Sequence, residues 1–192
     1  SLPCLPQLPP NYQHRLIMSQ HPLHARMCGF GEKDRRPVDP PPIVQLVVED
    51  ENGRPDFEYV QNPFFVLHVT LWSEDQSAER SVIFNDPKYT RVLMGSLVSS
   101  PTMLKNPEGE LGCYFCFPDL SIRTEGVYTL RFSLFRLDSE NELTESTPNA
   151  IAEVFSEPFT VYSAKKFPGM TESTELSKAF ARQGLKIPIR NE

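Results

Sequence analysis

The alternation of apolar and polar residues along this chain predicts a series of short β-strands. The clearest run is FFVLHVTLW at residues 64–72, in which every second residue is apolar and is predicted to face a core. Those inward positions are Phe65, Leu67, Val69 and Leu71. A second run at 43–49 is rich in β-branched residues and follows a group of prolines, as strands that start after a loop commonly do.

The remaining strand candidates are shorter and are separated by turn signals. In the longest of them, 127–137, the aromatic and leucine positions are predicted to face inward. At least seven short strands with little helix favour an antiparallel β-sandwich. The other candidate strands are 15–20, 81–84, 91–94, 113–117, 151–155 and 159–162, while 21–42 and 101–112 are predicted to be loops.

One helix near 173–183 interrupts the β pattern. Ser173 is the predicted N-cap, Glu175 suits the first turn, and Gly184 suits the end of the helix. Its apolar stripe at helical spacing predicts that the helix packs on the sandwich. The stripe consists of Leu176, Ala179 and Phe180.

Length and composition indicate one domain with a short extension. The chain has 192 residues, of which 39% are hydrophobic, enough for a substantial core. Proline-rich residues 1–12 are predicted to form an extended arm, and 13–192 to form the domain. The sequence contains no apolar run long enough to span a bilayer, so no membrane partner is predicted, and the sparse cysteines indicate an intracellular protein.

The charge distribution points to a local binding surface for a polyanion. The formal net charge is −6, but residues 1–36 and 163–192 each carry +3 while 37–162 carry −12. Both ends of the chain are therefore basic around an acidic centre. Such asymmetry indicates a local footprint for a polyanion better than the overall charge does, although charges also keep an ordinary surface soluble.

A basic, glycine-containing stretch at 26–42 is the main candidate site. It holds four cations and then a series of prolines just before the strand at 43–49. Arginine side chains suit phosphates and guanine edges, and further basic residues near the C-terminus could add phosphate contacts. Alternatively, the loop is a solvated surface neutralised by Glu32 and Asp34. The candidate DNA-binding residues are Arg26, Lys33, Arg35, Arg36, Lys165, Lys166, Lys178, Arg182, Lys186 and Arg190.

Signals for catalysis and metal binding are weak. No nucleophile elbow, metalloprotease helix or phosphate loop is present, so an enzyme is not predicted. Cys113 and Cys116 fall on a predicted strand, where residues three apart face opposite sides. His21, His24 and Cys28 lack an identifiable fourth ligand, so we predict neither a metal nor a cofactor. The basic neighbours of Cys28 would favour a reactive thiol, which would make binding sensitive to oxidation.

Four long segments of the chain resemble the velvet domain of fungal regulators. They are HARMCGFGEKDRRPVDPPPIVQL, PFFVLHVTLWSED, the block from RVLMGSLV to FSLFRL at 91–137, and SEPFTVYSAKKFPGMTESTELSKAFARQGLKIPIR. Together they cover nearly the whole chain after the proline arm, in the expected order. Within the family, the sequence most resembles the member that controls spore viability.

The resemblance implies a fold and a function. Velvet domains are immunoglobulin-like β-sandwiches related in architecture to the DNA-binding half of Rel/NF-κB regulators. They are nuclear transcription factors that control sporulation, spore viability and secondary metabolism, as homodimers or as heterodimers with other velvet proteins. The resemblance therefore implies double-stranded promoter DNA as a partner, with the early loop that carries Arg26, Lys33, Arg35 and Arg36 as the DNA-reading element. The alternative is a protein-interaction module, in which the basic loop is incidental.

Overall fold

The computed structural model describes residues 12–31, 35–61, 65–137 and 149–191. Within these ranges the chain is mainly β, with two short helices. The strands are β1 (Gln13–Gln20), β2 (His24–Arg26), β3 (Ile43–Glu49), β4 (Phe65–Ser73), β5 (Val82–Asn85), β6 (Lys88–Arg91), β7 (Leu93–Gly95), β8 (Val98–Ser99), β9 (Thr102–Lys105), β10 (Leu111–Cys116), β11 (Leu120–Ile122), β12 (Gly126–Arg136), β13 (Ala152–Phe155) and β14 (Phe159–Tyr162). The helices are α1 (Phe57–Val60) and α2 (Glu175–Arg182).

Two main sheets enclose the core. Sheet A has the strand order β1-β3-β10-β9, and sheet B has the order β2-β14-β12-β4-β8 with β13 also paired to β12. Nearly all of these pairings are antiparallel, and the exception is the parallel pair of β2 and β14. Side chains from both sheets meet in one buried cluster, where the rings of Phe117 and Phe132 lie 5.2 Å apart. The predicted antiparallel, mainly β fold is therefore confirmed.

The inward positions predicted for the long strands are confirmed. Phe65, Leu67, Val69 and Leu71 on β4 are fully buried, and the alternate residues on that strand are partly exposed. On β12 the aromatic and leucine set also faces inward, as the period of two requires. These strands follow the pattern because each has one face toward the core.

Two segments that were predicted to be loops contain strands. Residues 24–26 form β2 within the stretch 21–42, and 102–105 form β9 within 101–112. Both strands are too short to show a clear alternation. β2 pairs with β14 and β9 pairs with β10 through backbone hydrogen bonds, which the pattern of side chains does not reveal.

The predicted C-terminal helix is confirmed, but its N-cap is Thr174 and not Ser173. The Thr174 hydroxyl accepts a hydrogen bond from the Ser177 backbone N–H at 3.0 Å. The Ser173 hydroxyl instead accepts from the Arg190 backbone N–H at 2.7 Å, which ties the last residues to the start of the helix. Phe180 anchors the helix on the outer face of sheet A, with its ring 4.7 Å from that of Tyr114.

Two partly buried histidines give the domain an expected pH dependence of stability. Burial lowers the pKa of His14 below its ordinary value of 6.5, and the charge of Arg136 adds to the effect. Burial also lowers the pKa of His68, outweighing the opposite effect of Glu79. The unfolded chain therefore binds protons that the folded chain does not, so the free energy of unfolding decreases as the pH falls through about 6.5.

We expect the urea midpoint of unfolding to decrease between about pH 7.5 and about pH 5.5. The double variant His14→Gln with His68→Gln removes both titrating groups and should show a smaller decrease. The same pH dependence in the variant and in the original chain would contradict this assignment.

Candidate nucleic-acid interface

The parallel pairing of β2 with β14 brings two basic segments together. Arg26 pairs in register with Tyr162, and the Met27 backbone N–H donates to the Tyr162 carbonyl at 2.8 Å. The two strands therefore end side by side. The turn at 163–167, which carries exposed Lys165 and Lys166, emerges next to the segment that follows Arg26. Arg26 itself lies on a strand, although it was predicted at the start of a loop.

The segment 27–38 is anchored at both of its described ends. The backbone N–H groups of Cys28 and Gly29 donate to the carbonyls of Ile122 and Arg123, at 2.9 and 3.0 Å. Gly29 has φ +62°, a conformation that a residue without a Cβ adopts readily. At the other end, the Val38 N–H donates to the Leu120 carbonyl at 2.7 Å. Backbone carbonyls of one short segment, 120–123, thus hold both ends of the loop.

The arginines of this loop are open to solvent. Arg35 and Arg36 are exposed, whereas Lys33 lies outside the described residues. We call the region formed by 26–31, 35–38, 120–125 and 163–167 the basic end of the sandwich. Glu125 is an acidic and exposed neighbour there. Exposed guanidinium and ammonium groups on an anchored backbone suit a ligand with several negative charges.

Arg123 is a functional candidate that the sequence reasoning missed. Its Nη1 donates to the Gly29 carbonyl at 3.0 Å, and its Nε donates to the Arg91 carbonyl at 2.8 Å. One guanidinium therefore links the loop to the base of the β5–β6 hairpin. Because its partners are backbone groups from distant segments, no motif around residue 123 could have revealed this role.

A buried carboxylate holds the returning part of the loop. Asp39 is 2% exposed, and its Oδ2 accepts from His24 Nε2 at 2.9 Å and from the backbone N–H of Thr171 at 2.8 Å. The Thr171 hydroxyl also donates to this oxygen, and Arg190 Nη1 lies 3.5 Å from Oδ1. Asp39 thus ties β2 to the C-terminal segment.

The C-terminal candidates fall into three groups. Lys178 lies between Glu172 and Glu175, at 3.3 and 3.6 Å, and Arg190 is paired with buried Asp39. Arg182 and Lys186 are exposed near the end of α2, on the outer side of sheet A. The structure therefore groups Lys165 and Lys166 with the basic end, while Lys178 and Arg190 have acidic partners.

Cys113, Cys116 and His21 lie in ordinary packing environments. Cys113 faces the core and Cys116 the opposite side of β10, as predicted, and burial raises the pKa of each thiol to about 12. His21 Nδ1 accepts from the Glu157 backbone N–H at 3.0 Å. Among the described residues, no group of three or more His, Cys, Asp or Glu side chains could hold a metal ion.

The fold and this surface define a β-sandwich domain that presents an anchored cationic loop to solvent. None of the helices in the described ranges is both long and apolar enough to cross a membrane. The chain belongs to the velvet family, since the family model described as Velvet factor matches residues 14–88 and 83–192.

Relatives from several fungi share most of this chain. The sexual development regulator umv3 of Mycosarcoma maydis is 42% identical over 190 residues, covering 95% of this chain and 46% of that protein. The spore development regulator vosA of Beauveria bassiana is 39% identical over 178 residues, covering 91% and 65%. Velvet complex subunit 2 of Gibberella moniliformis is 32% identical over 276 residues, covering 94% and 62%. The chain thus spans 46–65% of the length of these three relatives.

Proposed function

We propose that this domain is the sequence-specific DNA-binding and dimerisation unit of a nuclear transcription regulator. The observation that carries the proposal is the basic end, where the loop with exposed Arg35 and Arg36 begins beside the strand that leads into the turn with Lys165 and Lys166. Duplex DNA is the polyanion whose grooves and phosphates match such a loop with flanking cations.

In the proposed complex the loop enters the major groove. Guanidinium groups there can bind guanine edges with two hydrogen bonds, or bind phosphates, and the lysines of the 163–167 turn contact the backbone. The backbone hydrogen bonds at Cys28, Gly29 and Val38 reduce the conformational entropy that these two ends of the loop lose on binding. Two domains in a dimer would place two loops on one site and raise specificity.

The proposed output is control of sporulation, spore viability and secondary metabolism. The velvet resemblance implies this role, and the names of relatives that regulate sexual and spore development support it. One relative is named as a subunit of a velvet complex, which supports association with a second velvet protein, identical or different.

The test is duplex binding by the isolated chain. A duplex selected from a random library should bind at least about 1,000-fold more tightly than a random duplex at about 0.15 M salt. The logarithm of the affinity should fall linearly with the logarithm of salt concentration. Equal affinity for selected and random duplexes, measured by fluorescence anisotropy, would contradict the proposal.

A protein-interaction module is the second candidate, and the β5–β6 hairpin favours it. Val82, Phe84 and Tyr89 are 48%, 56% and 74% exposed, and the rings of Phe84 and Tyr89 lie 4.8 Å apart. An apolar patch of this kind commonly marks a protein contact. If the domain acts only as an adaptor, Phe84→Ser with Tyr89→Ser should abolish association with a second velvet domain, and the original chain should not prefer the selected duplex.

A further inference from the structure

Phe30 is an aromatic residue exposed at the basic end. Its side chain is 54% exposed, and it lies between Gly29 and Gly31. The preceding backbone is held by the hydrogen bonds from Cys28 and Gly29 to segment 120–123. A half-exposed phenyl ring leaves about half of its apolar contact surface available to a ligand.

The position of the ring is set by Arg123. The guanidinium carbon lies 5.5 Å from the centroid of the Phe30 ring, within the range of a cation–π contact. The same guanidinium is fixed by its bonds to the Gly29 and Arg91 carbonyls. A lysine could not form both bonds and also present a flat surface to the ring.

The chemistry of a DNA groove limits what this ring can contact. Arg123 covers part of the ring, and 54% of the Phe30 side chain remains exposed to solvent. Bases in an intact duplex are stacked on each other, so the ring cannot stack on them without opening the helix. The apolar group that the major groove does offer is the C5-methyl of thymine.

We propose that Phe30 is a specificity-determining residue whose ring packs on a thymine methyl group in the major groove, and that Arg123 is the residue that positions it. This inference rests on the proposed function. It predicts that part of the sequence preference comes from an apolar contact that carries no charge. Such a contact leaves the salt dependence of binding unchanged.

The test removes the methyl group from the DNA and the ring from the protein, separately and together. In the duplex selected by the original chain, each thymine is replaced in turn by deoxyuridine, which lacks only the methyl. At one position or more, this replacement should weaken binding by about fourfold, the effect of one buried methyl group. The same replacement should not change the affinity of the Phe30→Ala variant for the duplex. The slope of log affinity against log salt concentration should be the same for that variant as for the original chain.

Two further variants complete the design. Phe57→Ala removes another exposed phenylalanine, 44% exposed on α1, and should retain the full effect of deoxyuridine. Arg123→Lys keeps the charge, so its salt slope should stay the same while the effect of deoxyuridine is reduced. If Arg123→Lys retains the full effect, Arg123 does not position the ring.

The outcomes separate this inference from the proposed function. Suppose the original chain prefers its selected duplex and needs the basic loop to bind it, but deoxyuridine weakens binding equally in the original chain and in Phe30→Ala, or in neither. The inference about Phe30 is then wrong and the proposed function stands. If the original chain does not distinguish selected from random duplex, the proposed function fails, and the inference fails with it. Thermal unfolding of each variant verifies that the protein is folded.

Discussion

Replacement of Arg35 and Arg36 by glutamate should reduce duplex affinity by about 100-fold at about 0.1 M salt. Both side chains are exposed on the anchored loop of the basic end. Each phosphate contact contributes about a factor of eight through counterion release under these conditions, so two lost contacts cost about 60-fold. The added negative charges increase the loss further. The slope of log affinity against log salt should also become shallower by about 2.

A charge-matched control is available at the opposite end of the sandwich. Arg54 lies in the turn after β3, and Lys105 ends β9, and both are exposed. The variant Arg54→Glu with Lys105→Glu changes the net charge by the same amount. It should retain most of the affinity, because charges further away than about 10 Å are screened at this salt concentration.

The comparison of the two variants decides between a local and a general electrostatic effect. Binding is measured by anisotropy with the selected duplex over a series of salt concentrations. Equal losses in the two variants would mean that overall charge, and not the loop, governs binding. An unchanged affinity in the Arg35→Glu, Arg36→Glu variant would remove the loop from the interface. Since both arginines are on the surface, neither change should unfold the domain.

The long strands could be predicted from the sequence because their two faces differ in polarity. On β4 the alternation that begins at Phe65 continues to Leu71, and all four inward side chains are buried. The predicted C-terminal helix depended on the stripe that ends at Phe180, which packs as expected on sheet A. The prediction of Ser173 as its N-cap was wrong, since Ser173 and Thr174 are both good capping residues and only the backbone geometry distinguishes them.

The candidate site could be predicted only in part. The exposed arginines of the loop were found from composition and from the family resemblance. Arg123 could not be found, because its guanidinium contacts backbone carbonyls from segments that are remote in the sequence. Asp39 offered a weak local signal, since it is a single acidic residue between Val38 and a run of prolines. Its burial depends on Thr171 and Arg190, which only the folded chain brings to it.

Replacement of Asp39 by alanine should lower the free energy of unfolding by about 3 kcal/mol, the largest stability effect that we predict. The carboxylate is 2% exposed and accepts hydrogen bonds from His24 and from both donors of Thr171. Alanine leaves these donors and Arg190 without their acceptor in a largely dry site. For a domain of this size, the melting temperature should fall by about 10 °C.

Two controls test whether the loss of stability comes from the hydrogen bonds to the Asp39 carboxylate. Asp39→Asn keeps one acceptor oxygen but places an amide where a second oxygen was, so it should cost about 1–2 kcal/mol. Asp119→Ala removes an exposed carboxylate close to the same loop and should change stability by less than about 0.5 kcal/mol. If Asp39→Ala behaves like Asp119→Ala in chemical denaturation, the buried carboxylate does not stabilise the fold.

The same variant connects stability to the proposed DNA contact. Asp39 also forms backbone hydrogen bonds with His24 that close the returning end of the loop, and its side chain reaches the segment that leads into α2. Loss of that carboxylate should therefore weaken duplex binding more than Asp119→Ala does, even at a temperature where both variants are folded. The salt slope should change little, because no phosphate contact is removed. A loss of affinity with an unchanged slope would show that Asp39 acts by holding the loop in its binding geometry.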